Sequence, residues 1–133
     1  MQNLQKRQRR ILAIDDDPVT LAQFREVLGE RYKVFFALEG EQAIEMLDDT
    51  QPDLIIIDVR LPGADGPQIV RKLRRYTSVP VMMVSSYPQD VTEDDLVRLH
   101  IHSALIKPVD PEVLEIEVDS LLDLHSLRTN EAL

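Results

Sequence analysis

The sequence predicts an α/β domain, a five-stranded parallel sheet covered by helices on both faces. Five short apolar runs alternate with amphipathic segments along the chain, the pattern of strands joined by helical crossovers. The third run, Leu54-Ile55-Ile56-Ile57, is unbroken rather than alternating, as a strand buried on both faces requires. Polar groups stand at the carboxyl ends of four of the five runs, the edge where such sheets hold ligands and do chemistry. A length of 133 residues suits one domain with a real core.

The first strand is expected at residues 10–14, with Asp15-Asp16-Asp17 directly after it. Asp17 is a good N-cap and Pro18 suits the first turn of a helix. Leu21, Phe24, Val27 and Leu28 recur at helical spacing until Gly29. A second strand covers 33–37, and a second helix 41–47 turns Ala43, Ile44 and Leu47 inward before a turn at 49–52. The central strand ends at Asp58, where Pro62, Gly63 and Gly66 break the chain into a loop. Gly66-Pro67 opens a third helix with Ile69, Val70 and Leu73 inside and Arg71, Lys72, Arg74 and Arg75 on its solvated side.

A fourth strand is expected over 79–84, ending in Ser85-Ser86. A helix over 90–100 has Val91, Leu96, Val97 and Leu99 as its apolar positions and an acidic start at Thr92-Glu93-Asp94-Asp95. The fifth strand, 103–106, ends at Lys107-Pro108, and Asp110-Pro111-Glu112 starts a last helix reaching about Leu124. Residues 1–9 are then a basic leader expected to be flexible, 10–124 the domain, and 125–133 a tail or the start of a linker.

A net charge of −9 disfavours direct nucleic-acid binding, which needs clustered cations on phosphates. The basic patches Lys6-Arg7-Arg9-Arg10 and Arg71-Lys72-Arg74-Arg75 read as a solvated leader and a helix's polar last turn. There is no cysteine, so disulfides and thiolate chemistry are excluded. No apolar run is long enough to span a bilayer or to serve as a signal-peptide core, and a cytoplasmic protein without membrane contact is expected. His100, His102 and His125 lack the spacing of a metal cluster.

With sheet order 2-1-3-4-5, the first and third strands are neighbours at the switch point, so Asp15, Asp16 and Asp58 converge. Three adjacent carboxylates repel unless a cation neutralises them. A small set of oxygen ligands beside a phosphate site suits Mg²⁺. Lys107 supplies a compact positive charge and Ser85 a hydroxyl donor. Together these groups make a site for phosphoryl transfer to Asp58, in which positioning and charge neutralisation do most of the work. Any one of them alone could be a cap or a solvated side chain, but four in register at separate strand ends favour the functional reading.

On these residues the chain resembles the receiver domain of bacterial two-component response regulators. The matching motifs are Ile11-Leu12-Ala13-Ile14-Asp15-Asp16-Asp17-Pro18, Pro52 to Asp58 with Leu61-Pro62 and Asp65-Gly66, Val79 to Ser85, and Leu105-Ile106-Lys107-Pro108. The resemblance implies a flavodoxin-like (βα)5 fold in which Asp58 takes a phosphoryl group from a sensor histidine kinase or histidine phosphotransfer protein. It implies Mg²⁺ held by Asp16, Asp58 and the backbone carbonyl of Arg60, with Asp15 acting through water. Ser85 and Lys107 match the residues that contact the phosphoryl group, and the peptide before Pro108 is cis in the family. The only chemistry implied is self-phosphorylation and self-dephosphorylation at Asp58, with no external substrate.

Ala104 stands where the family usually carries an aromatic residue that moves with the hydroxyl residue. The switch region is accordingly expected at Ser86, Tyr87, Ala104 and Pro108, working through repacking of the 90–100 helix without a rotating ring. In the last helix Val113, Leu114, Ile116, Val118, Leu121, Leu122 and Leu124 spread over more circumference than one buried stripe needs. The excess suggests a homodimer through the last two helices. An output domain or effector partner is expected, whether the chain is a stand-alone receiver or a piece of a longer regulator.

A Mg²⁺-dependent phosphohydrolase would need a second Asp two residues after the nucleophile, and Arg60 stands there. Nucleotide binding by a Gly-rich loop has no support among four glycines. The competing reading is a receiver-like interaction module that works without phosphorylation.

Overall fold

Five strands lie side by side in one parallel sheet: β1 (Arg10–Ile14), β2 (Lys33–Ala37), β3 (Leu54–Asp58), β4 (Val81–Ser85) and β5 (Ser103–Ile106), in the order β2-β1-β3-β4-β5. The structure is a computed structural model that describes residues 8–131, without the side chains of 88 and 125–131. The connecting helices are α1 (Pro18–Leu28), α2 (Gly40–Thr50), α3 (Gly66–Leu73), α4 (Glu93–Arg98) and α5 (Pro111–Glu131). Fold class and strand order are those the sequence predicts.

Alternate residues of each strand enter opposite layers, because strand side chains alternate in direction. On one face Leu12, Ile14, Ile55, Ile57 and Met83 pack with Ala43, Leu47, Ile69, Val70 and Leu73 of α2 and α3. On the other, Ile11, Ala13, Leu54, Ile56 and Val84 pack with Phe24, Leu28, Leu114, Val118 and Leu121 of α1 and α5. Both β3 layers are fully enclosed, and burying each isoleucine contributes roughly 1.5–3 kcal/mol. Register then places the functional edge: Ile14 lies opposite Ile57, Asp58 opposite Val84, and Ser85 opposite Ile106. The strand ends therefore meet along one line.

Several boundaries differ from expectation. Helix α2 runs on to Thr50, whose hydroxyl donates to the Met46 carbonyl, and ends where Gln51 turns left-handed at φ 46°. Helix α4 is only Glu93–Arg98 rather than residues 90–100. Thr92 and Asp95 form a capping box that fixes its start, and His100 at φ 54° lies just beyond its end. A separate 3-10 turn covers Pro88–Asp90. Helix α5 passes Leu124 and continues to Glu131, with no glycine or proline to stop it. Strand β4 begins after Pro80, which has no N–H to give a ladder.

The segment after β3, expected as loop, contains an antiparallel two-residue pair, Arg60–Leu61 with Ala64–Asp65. Gly63 at φ 79° makes its turn. Gly66 then opens α3 against the β3 exit. A Cβ there would lie 2.9 Å from both the Asp58 carbonyl oxygen and the Val59 Cα. Asp65 caps α3 in a reciprocal box with Gln68. None of the helices described is long and apolar enough to cross a membrane.

Candidate functional site

The site is built where β1, β3, β4 and β5 end. Asp15 follows β1 and is fully buried. One of its oxygens accepts from the Asp17 backbone N–H at 2.9 Å and the other from the Lys107 ammonium at 2.8 Å. Asp17 caps α1 as expected, accepting from the Val19 N–H and the Thr20 hydroxyl. The hydroxyl and amide donors together hold its carboxyl below the usual range. Asp16, by contrast, is exposed at the mouth.

Asp58 closes β3 at 8% exposure. Its carboxylate lies 3.3 Å from Lys107, and the Arg60 N–H donates to it at 3.4 Å. Burial first, and then the charge of Asp15, push the Asp58 carboxyl up, with Lys107 pulling the other way. Burial opposes the charge of Lys107, but its contacts to Asp15 and Asp58 outweigh this and raise its pKa. One ammonium thus serves two carboxylates and does not fully neutralise them.

Asp15, Asp16 and Asp58 can each offer an oxygen to one point, these atoms lying within 4.8 Å of one another. They are the one group of described residues arranged to hold a metal ion. The hard-oxygen donor set, and a charge excess that Lys107 leaves unmet, fit a divalent cation such as Mg²⁺. Each Asp15 oxygen already accepts one hydrogen bond, from the Asp17 N–H and from Lys107.

Ser85 ends β4 at 4% exposure. Its hydroxyl is engaged with the loop, accepting from the Tyr87 N–H at 2.9 Å and donating to the Tyr87 carbonyl at 3.0 Å. Ser86 and Tyr87 are exposed beyond it. Tyr87 stacks on the Arg60 guanidinium at 3.7 Å, and Arg60 also donates to Asp90 at 2.7 Å. This clasp joins the β3 loop to the β4–α4 loop. No motif in the sequence marks it, since Arg60 and Asp90 are thirty positions apart.

Beside Ala104 there is a hollow of about 160 Å³, lined by Met83, Ser85, Val91, Leu96, Leu105 and Ile106. None of Tyr87, His100 and His102 lines it. Lys107 is joined to Pro108 by a cis peptide, as the resemblance implies.

Arg74 corrects the expectation of a solvated arginine. Its guanidinium folds inward and donates to the carbonyls of Leu99, His100 and Val79. Burial lowers its pKa. Nothing in the four-residue basic run marked it out, because the carbonyls it meets belong to distant segments. Of the other basic patch, Lys6 and Arg7 lie outside the described residues. Arg10 begins β1 and donates to the Thr50 carbonyl rather than lying in a leader. His100 is exposed and His102 half-buried, and the side chain of His125 lies outside the described residues.

A parallel sheet of this order, with acidic, hydroxyl and amine groups at one edge, is the arrangement the resemblance to receiver domains implies. Residues 11–119 match the family model described as the response regulator receiver domain. The chain belongs to that family. It is 31% identical over 114 residues to the transcriptional regulatory protein AfsQ1 of Streptomyces coelicolor, covering 84% of this chain and 50% of that protein. It is 28% identical over 123 residues to the sensor histidine kinase TmoS of Ectopseudomonas mendocina, covering 90% of this chain and 13% of that one. The chain therefore spans half or less of these relatives. A two-component response regulator structure from Clostridium difficile superposes with a TM-score of 0.81 at 26% identity, over 87% of this chain and 97% of that one.

Proposed function

We propose that this receiver domain is phosphorylated on Asp58 by a sensor histidine kinase or histidine phosphotransfer protein, in a Mg²⁺-dependent reaction. The observation that supports this most is Lys107 set between Asp15 and Asp58, with Asp16 at the mouth of the same pocket. An Asp58 oxygen would attack the phosphorus of a phosphohistidine as the P–N bond breaks and the imidazole leaves. Asp16, Asp58 and the Arg60 carbonyl would hold the metal, with Asp15 acting through water. Bound Mg²⁺ would neutralise the anionic oxygens gathered there. Lys107 would exchange part of its contact with Asp58 for the incoming phosphoryl oxygens, staying anchored by Asp15. The Ser85 hydroxyl would leave the Tyr87 backbone to donate to the phosphoryl group. The domain would then be a switch acting on itself rather than an enzyme with an external substrate.

That movement of Ser85 would pull on the Ser86–Tyr87 loop and on the hollow beside Ala104. No ring occupies this hollow, so we read the switch as repacking of Leu96 and Val91 around it. The exposed apolar residues Val97, Ile106, Val113 and Ile116 lie on α4, β5 and α5. They would carry the readout to a second copy of the chain, an output domain or an effector.

The test is incubation with a small phosphodonor and Mg²⁺, read by intact mass. Wild type should gain one phosphoryl group and the Asp58→Asn variant none. A wild type that gains nothing, yet still binds its kinase, would support the phosphorylation-independent module instead. Sedimentation of the phosphorylated and unphosphorylated forms tests the dimer, which a strict monomer in both would remove.

A further inference from the structure

At the sheet edge opposite Asp58, the C-terminal ends of α3 and α4 converge on a crevice of about 820 Å³. Its size is that of a small-molecule pocket. Arg71, Arg75 and Arg98 line it together with Arg74, Tyr76 and Asp95. A gathering of four arginines is unexpected in a chain of net charge −9.

Helix C-termini attract cations, so part of this charge has a structural use. Arg74 supplies it at the end of α4, where its donors serve the Leu99 and His100 carbonyls, while Arg71 and Lys72 stand in the last turn of α3. Asp95 is engaged in the α4 cap. Lys72, on the same turn of α3, is held by Glu41 outside the crevice. Among the described residues neither Arg71 nor Arg75 has an ion-pair partner. Arg98 has only an exposed contact to Asp94 at 3.4 Å, of the kind that contributes little. Arg71, Arg75 and Arg98 thus line one crevice, with the exposed Asp94 contact of Arg98 as the one ion pair they make among the described residues. Their planar donor geometry matches phosphate oxygens in pairs. Tyr76, 66% exposed, adds a ring on which a base could stack.

We propose that this crevice binds a nucleoside polyphosphate, with Arg71, Arg75 and Arg98 on the phosphates and Tyr76 against the base. The missing Gly-rich loop does not bear on this, because side-chain forks would replace backbone amides. Occupation would brace the end of α4, whose Leu96 reaches the hollow behind Ser85. The crevice is thus placed to bias the switch from the far edge of the sheet.

The experiment is calorimetric titration with ATP and with inorganic pyrophosphate, in buffer with a chelator so that the acidic pocket holds no divalent cation. Both should bind wild type and the Asp58→Asn variant alike, more weakly when salt rises well above about 0.1 M. The Arg71→Ala/Arg75→Ala double variant should lose about tenfold or more for both probes. Tyr76→Ala should weaken ATP and leave pyrophosphate unchanged. Absence of heat with both probes would overturn the proposal. So would binding retained by the double arginine variant, or binding lost with Asp58→Asn, which would put the ligand at the other edge. An acidic peptide that binds where neither probe does would also overturn it. None of these outcomes depends on whether Asp58 accepts phosphate.

Discussion

The Lys107 ammonium lies 2.8 Å from Asp15 and 3.3 Å from Asp58, with only 13% of its side chain exposed. Removing one partner of a buried ion pair leaves the others uncompensated, typically costing several kcal/mol. Lys107→Met should therefore cost roughly 3 kcal/mol at neutral pH, measured by urea unfolding. Because the folded pKa of Lys107 is raised, its contribution is complete below the ordinary lysine range and lost as pH climbs through the folded value. Wild type should lose stability in that alkaline window while Lys107→Met does not. Equal alkaline slopes in the two proteins would show that Lys107 is not held as described.

Asp58 has the opposite consequence. Burial and the Asp15 charge raise its pKa, so it favours folding below the ordinary carboxylate value of 3.8 and that benefit disappears as pH rises through the folded value. At pH 7 without metal, an ionised Asp58 is a destabilising group. Asp58→Asn should then unfold at a higher temperature than wild type at pH 7, with the gap closing in acid. Added Mg²⁺ should stabilise wild type by about 2.7 kcal/mol at a hundredfold excess over its dissociation constant, and the variant much less. Thermal melts across pH, with and without Mg²⁺, read both effects.

How far the sequence could be read follows from the range of each interaction. Strand β3 and the residues Asp15, Asp16, Ser85 and Lys107 were legible because an apolar run followed by a polar group is local information. Strand order then brings those ends together without further detail. The α4 region was less legible. Leu96 and Leu99 keep helical spacing, but the capping box at Thr92 starts the helix later than the expected residue 90. The Arg60–Asp90–Tyr87 clasp and the inward turn of Arg74 depend on which loops become neighbours, and no local pattern encodes that. Position 104 marks the same limit: the family resemblance singles out the alanine, while the hollow beside it depends on side chains from three segments.

Arg74 ties α3 to the segments entering β4 and β5. Hydrogen bonds to a charged donor each contribute about 1.5–3 kcal/mol, and their partners here are backbone carbonyls in partly buried segments. Arg74→Ala should cost roughly 2–4 kcal/mol in urea unfolding. Arg74→Lys should recover less than half of that, since a single ammonium cannot span carbonyls that a planar fork reaches together. A loss below about 0.5 kcal/mol, the usual surface value, would mean the guanidinium is solvated after all.

Gly66 tests how closely α3 must approach the phosphoacceptor strand. A Cβ at this position would sit 2.9 Å from the Asp58 carbonyl oxygen and 2.9 Å from the Val59 Cα. Both are backbone atoms, and the Gly66 N–H already donates to the Val59 carbonyl at 2.6 Å. No rotamer change relieves such a clash, so the β3 exit itself must shift. Gly66→Ala should cost about 1–3 kcal/mol in unfolding experiments, the range for overpacking a tight site. A displaced Asp58 should also slow labelling by a small phosphodonor beyond what lost stability explains. Gly40→Ala is the comparison: a Cβ there would meet side-chain atoms of the buried Ile69, the nearest at 2.1 Å, rather than the backbone of the β3 exit. It should lower stability without slowing labelling of the folded protein. Equal labelling rates for Gly66→Ala and wild type would show that the strand exit tolerates the added methyl group.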